Sequence, residues 1–165
     1  MAIRDVILPE YDQEMANTRK MLAAVPDGKL TYQPHPKSMQ LDKLAGHIAE
    51  MPGWIPMTMQ VEVLNMDGSY QPFLPKSNAE LLTTFDKNVK EGREALSKAT
   101  DEQFAVVWTM KSGDQVYFSM PRTAVVRGLI MNHIIHHRAQ LGVYLRLNDV
   151  PIPGMYGPSA DEMTK

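Results

Sequence analysis

The chain predicts an all-α domain of four helices, with a small β-hairpin between helices three and four. Three observations carry this. Apolar residues recur at three- and four-residue steps over four separate segments. Proline and glycine clusters fall between those segments. The period shortens towards two over one short stretch only, 104–120. A length of 165 residues suits a single domain, 1–165, able to bury about 70% of the surface exposed by the unfolded chain. Helices of about 20 residues with their apolar stripes inward form a bundle, and bundles place metal sites among side chains of facing helices.

The first helix spans roughly 3–25, with Ile7, Tyr11, Met15, Thr18, Leu22 and Val25 on one face, and Pro26-Asp27-Gly28 ends it. Beyond Pro34 and Pro36, Ser38 is the expected N-cap of a second helix that turns Leu41, Leu44, Ile48, Ile55 and Met59 inward. Pro52 and Pro56 fall inside this pattern, where each removes a backbone donor and favours a kink. Residues 65–77 read as a connection, because Asp67-Gly68-Ser69, Pro72 and Pro75 interrupt any period. Ser77 with Glu80 makes a capping box for the third helix, whose face carries Leu82, Phe85, Val89 and Leu96. Val106-Val107-Trp108-Thr109 and Val116-Tyr117-Phe118, separated by Ser112-Gly113-Asp114, are the hairpin strands. Two strands cannot form a core of their own, so they are expected over one end of the helices. Pro121 suits the first turn of a fourth helix reaching about Leu147, with Val125, Leu129, His133, Gln140, Val143 and Leu147 in one stripe.

Composition narrows the function classes. Hydrophobic residues make up 44% and charged residues 22%, ordinary for a soluble globular protein, and no apolar run approaches the ~20 residues of a membrane span. Met1-Ala2-Ile3-Arg4-Asp5-Val6 lacks the apolar core of a secretory signal, so a cytoplasmic location is expected. A net charge of -2 with scattered Lys and Arg offers no footprint for a polyanion, so neither nucleic acid nor membrane is an expected partner. Zero cysteines exclude disulfides, thiolate metal sites and a Cys nucleophile. Any thiol in the chemistry must be brought by a ligand.

Most informative is Asn132-His133-Ile134-Ile135-His136-His137-Arg138-Ala139-Gln140-Leu141. His133 and His137, at i and i+4, share a helix face and can converge on one metal ion. The alternative is a pair of half-buried imidazoles bonded to backbone or water, and spacing alone does not decide between the two. The best third ligand is His47, in Leu44-Ala45-Gly46-His47-Ile48-Ala49-Glu50, whose small residues also suit ordinary close packing. Three neutral imidazoles would leave coordination positions open for water or substrate. Glu50, three residues past His47, is the candidate catalytic proton acceptor, with a solvated carboxylate as the plainer reading. His136 points to the other side of His133, and His35 lies in a proline-flanked loop. Asn132, Arg138 and Gln140 are candidates to orient ligands or bind an anion, or else make interhelical contacts. Trp54, Tyr117 and Phe118 can shape a pocket or fill core, and the 13 Met are adaptable core filler.

The same run, continued through Tyr144-Leu145-Arg146 to Tyr156-Gly157-Pro158-Ser159-Ala160-Asp161-Glu162, closely resembles the C-terminal signature of the DinB family. Pro34-His35-Pro36-Lys37-Ser38-Met39 followed by Leu44 to Glu50 resembles that family's entry into helix two. The resemblance implies a four-helix bundle of DinB type, often a homodimer, with a divalent ion, zinc or nickel, on His47, His133 and His137. Relatives include bacillithiol-using thiol S-transferases and a mycothiol-dependent maleylpyruvate isomerase, and many others have no assigned reaction. The resulting expectation is a metal-dependent thiol S-transferase or hydrolase acting on a small-molecule substrate. Its partners would be a low-molecular-weight thiol and an electrophile. The alternative is a non-catalytic, metal-stabilised bundle with a stress-related or interaction role.

Overall fold

The computed structural model describes residues 1–66, 68 and 70–163. It is mostly helical, with a small three-stranded sheet. Helix α1 (Ile3–Ala23) opens with the Asp5 carboxylate accepting from the Ala2 N–H at 3.0 Å, and it buries Ile7, Tyr11, Met15 and Leu22 as the periodicity predicts. A 3-10 turn, Asp27–Lys29, follows it.

Helix α2 (Leu41–Glu50) starts later than the sequence suggests. Gln40, not Ser38, occupies the N-cap, without a side-chain bond. Ser38 belongs to a turn instead, its N–H donating to the His35 carbonyl at 2.8 Å and its own carbonyl accepting from Gln33 Nε2 at 2.7 Å. The two prolines divide the second helix where a kink was expected. A 3-10 turn, Met51–Gly53, separates α2 from α3 (Trp54–Gln60). Pro52 cannot donate to α2, and Pro56 falls in the first turn of α3, where N–H groups have no intrahelical acceptor.

Within the expected connection lies strand β1 (Val63–Asn65). Asp67 and Ser69 of the Asp67-Gly68-Ser69 break lie outside the described residues. Ser77 caps α4 (Asn78–Lys98) by accepting from the Glu80 N–H at 3.2 Å, but the return arm of the box goes to the Lys76 N–H at 2.7 Å. Leu81, Phe85, Gly92 and Leu96 are buried on α4, with Leu82 and Val89 half-buried beside them. A short helix not expected from the period, α5 (Asp101–Ala105), is fixed by a complete capping box between Thr100 and Gln103.

Strands β2 (Val107–Ser112) and β3 (Gln115–Pro121) form the antiparallel hairpin, turning at Gly113, whose φ of 56° favours glycine. β1 pairs in parallel with β2, Leu64 opposite Met110, to give the order β1-β2-β3. Pro121 ends β3, one residue outside the helical run that starts at Arg122.

That run comprises α6 (Arg122–Ala124), a π-helical segment (Val125–Met131) and α7 (Asn132–Arg146). Burial there steps by five residues, Val125 to Ile130 and Val126 to Met131, then returns to the α period at Ile134, His137, Arg138, Leu141 and Leu145. The inward stripe is thereby displaced one residue from the one an unbroken α-helix predicts. Val143 and Leu147 are 58% and 57% exposed, while Leu129 and His133 sit half-buried at the stripe's edge.

Helices α1 and α2 each pack against both α4 and α7. No helix among the described residues is long and apolar enough to cross a membrane.

Candidate metal centre

His47 reaches the site from α2, and His133 and His137 reach it from α7. Gly46 makes the approach on α2 possible, because the 70–75 segment crosses the helix there so closely that a Cβ would overlap the Phe73 carbonyl oxygen. One nitrogen of each of the three rings lies within 4.8 Å of the others. Ring centroids are 5.1 Å apart for His47 and His133, 5.0 Å for His47 and His137, and 4.6 Å for His133 and His137.

Hydrogen bonds orient the two rings of α7. His137 Nδ1–H donates to Gln140 Oε1 at 2.7 Å, and the backbone at Leu129 hydrogen-bonds the His133 ring. The two Nε2 atoms face each other at 2.8 Å, a hydrogen-bond distance at which the tautomer sets the donor. Two ring nitrogens this close share a proton or a cation. Tetrahedral ligands at ~2.0–2.1 Å from one ion stand about 3.3–3.4 Å apart, so the two rings need to part by only about half an ångström to admit it. Burial, reinforced by His137 and His133, pushes the His47 pKa down to about 4. Burial likewise lowers the pKa values of His133 and His137 from the ordinary 6.5, against the opposing bonds from Leu129 and Gln140. All three rings are therefore neutral at pH 7 and can ligate without releasing a proton. The residues present fit a divalent ion.

Glu50 has both oxygens engaged. Oε2 accepts from the Tyr70 hydroxyl at 2.7 Å and Oε1 from the Phe73 N–H at 2.9 Å. It thus fastens the segment after β1 to the C-terminal end of α2, one turn from His47. His136 stays outside the ligand group, its ring 5.0 Å from that of His137. His35 accepts from the Lys37 N–H in its loop. Asn132 Oδ1 accepts from Arg127 Nη1, and Arg127 pairs with Glu10 at 2.8 Å.

Arg138 turns away from the histidines into the helix interface. Its guanidinium meets the Glu14 carboxylate at 2.7 Å, the Glu14 carbonyl at 3.0 Å, Thr18 Oγ1 at 3.1 Å and the Tyr156 hydroxyl at 2.6 Å. Tyr156 in turn donates to Glu14. Further along the tail, Asp161 pairs bidentately with Arg146 and accepts from the Ile152 N–H, while Glu162 accepts from the N–H groups of Gly154 and Ser159. The polar residues of the C-terminal signature thus lock the tail onto α1 and α7. Of the aromatic candidates, Trp54 lies beside His47 at 6.3 Å between centroids, Phe118 packs on buried Trp108, and Tyr117 is exposed. Glu14 and Tyr70, both central to this geometry, carried no signal in the sequence beyond residue type.

Comparison with known proteins bears on the fold and the family. The uncharacterized protein YrdA of Bacillus subtilis (strain 168) is 25% identical over 165 residues, covering 98% of this chain and 92% of YrdA. The crystal structure of a DinB-like protein from Bacillus cereus ATCC 10987 matches with a TM-score of 0.71 at 23% identity, over 94% of this chain and 98% of that one. A second DinB-like protein, YjoA of Bacillus subtilis, matches with a TM-score of 0.68 at 18% identity, over 88% and 95% of the two chains. At these identities the two structures speak for the fold alone. The family model is broader in reach: it matches residues 4–165, and by that match this chain belongs to the DinB family.

Proposed function

We propose that this protein is a four-helix-bundle metalloprotein in which His47, His133 and His137 hold one divalent ion, zinc or nickel. We propose that it catalyses thiol S-transfer or hydrolysis on a small-molecule substrate. The observation that supports this most is the pair of facing Nε2 atoms 2.8 Å apart, with a third imidazole beside them. No carboxylate joins the group among the described residues, so three neutral ligands would leave positions for a substrate atom. When bound, the ion supplies Lewis acidity that lowers the pKa of a thiol or water.

The chain's own residues do the rest. Gln140 and the Leu129 backbone fix the two α7 rings with Nε2 presented. Trp54 shields one side of His47. Glu50 is the candidate proton acceptor, reached through the Tyr70 hydroxyl that it already holds. Because the chain has no cysteine, the thiol arrives as a separate low-molecular-weight molecule. Its sulfur forms a bond to the electrophilic carbon as the leaving group departs with its bonding pair, and the thiol proton passes to Glu50 or solvent. The same reading takes the protein as a cytoplasmic homodimer without nucleic-acid or membrane partners.

The test combines metal analysis of protein purified without a His tag with a panel of electrophiles, each assayed with and without low-molecular-weight thiols. Stoichiometric metal that His47→Ala, His137→Ala protein has lost, together with turnover abolished by His133→Ala, is the expected result. Stoichiometric metal retained by that double variant rejects the ligand set. Metal without turnover, and a large loss of thermal stability on chelation, would assign the ion a structural role instead.

A further inference from the structure

A cavity of about 230 Å³ lies next to the histidine cluster, walled by Trp54, Met57, Leu64, Met66 and Tyr70, with Asn65 as a polar member. Trp54 is common to both places, its ring 6.3 Å from that of His47 and 6.5 Å from that of Tyr70. No Lys, Arg, His, Asp or Glu is among the described lining residues. Two of the polar groups already have partners: Asn65 Oδ1 accepts from the Gly113 N–H at 3.0 Å, and the Tyr70 hydroxyl donates to Glu50 at 2.7 Å. A charged ligand entering here would lose its hydration and meet no counter-charge among the described lining residues. An uncharged apolar group loses only unfavourable contact with water, and two aromatic walls offer it edge or offset stacking. Size limits the choice further. A dry cavity of about 150 Å³ accommodates benzene, so this one has room for a single ring carrying a short substituent.

We propose that this cavity binds an uncharged, single-ring hydrophobic group, and that this group is the apolar end of the electrophilic substrate, seated against Trp54 beside His47. Calling the ligand a substrate rests on the metal-centre reading above; the binding does not. Glu50 then has a positioning role as well, since its bond to Tyr70 holds one wall of the cavity upright.

Benzyl alcohol, benzoate and benzylammonium share one ring and differ in charge. Each is titrated into the full chain, zinc-loaded and EDTA-treated in parallel, while the two indole N–H resonances are followed by NMR, with Trp54→Phe assigning the peaks. The expected result is a saturable shift of the Trp54 resonance with benzyl alcohol, in both preparations, while Trp108, outside the lining, does not respond. The two charged analogues should need at least about ten-fold higher concentration, and Leu64→Asp should weaken benzyl alcohol by a similar factor. No saturable shift, equal binding of the charged analogues, or binding that vanishes with the metal would overturn the inference. Should Leu64→Asp fail to fold, the three ligands on the unaltered protein decide the matter. Benzyl alcohol binding intact in protein that takes up no metal would sink the metal reading and leave the cavity standing.

Discussion

Glu14→Ala takes the counter-charge from a guanidinium whose side chain is only 3% exposed. In the intact protein the carboxylate accepts from Arg138 Nη2 at 2.7 Å and from the Tyr156 hydroxyl at 2.9 and 2.8 Å. After truncation Arg138 keeps neutral acceptors alone: a backbone carbonyl, the Thr18 hydroxyl and the Tyr156 oxygen. Leaving one member of a buried pair without its partner costs about 3–5 kcal/mol. For a domain of this size each kcal/mol moves Tm by about 2–4 °C, so the expected drop is about 6–20 °C. Calorimetry and urea unfolding measure it. The double replacement Glu14→Leu, Arg138→Met removes both charges and should recover most of the loss, because an apolar pair of similar volume is often as stable as a buried ion pair. The single variant should also loosen Tyr156, which loses its carboxylate acceptor, and proteolysis in the tail beyond residue 150 should quicken. A single variant within about 1 kcal/mol of the parent, or a double variant no more stable than the single, would show that the cluster is not the clamp described.

Three further outcomes are expected. In metal-free protein, His47 has its pKa depressed from 6.5 to about 4, so the unfolded chain takes up a proton that the folded one refuses. The His47 contribution should be full above about pH 6.5, decline as pH falls towards about 4 and level off below, and His47→Gln should flatten this part of the descent; parallel pH curves for the two proteins would contradict the shift. Gly46→Ala should cost about 1–3 kcal/mol in urea unfolding, because the new methyl meets the Phe73 carbonyl and Pro75 ring, and parental stability would show that the crossing is looser than described. Gln140→Leu removes the acceptor that fixes the His137 tautomer and should weaken zinc binding about 10–100-fold in chelator competition, with unchanged affinity as the refuting result.

The long amphipathic faces were legible because three- and four-residue steps survive wherever a helix is regular, as on α1 and α4. The pairing of His133 with His137 was legible for the same reason, since four residues is one turn. The convergence of His47 on that pair was not a matter of spacing and came from the ordered resemblance of two distant motifs. Strand β1 was missed because three residues are too few to show a period and its partner strand lies more than forty residues away. Helix α5 announced itself through Thr100 and Gln103, a signal overshadowed by the nearby change of period. Ser38 misled because a residue suited to helix caps is equally suited to turns. The Glu14–Arg138–Tyr156 cluster joins positions up to 142 residues apart, and nothing local marks such a meeting.

The π-helical segment before α7 sets the phase of everything that follows it in the final helical run. The widened turn absorbs one residue, and the same sequence wound as an unbroken α-helix would turn everything beyond it by about 100°. Arg138 would then swing out of its berth with Glu14, and the two imidazoles would aim away from α2. The surplus residue acts as a fixed indexing notch, by which one continuous run both seals the interior and presents two nitrogens at its margin.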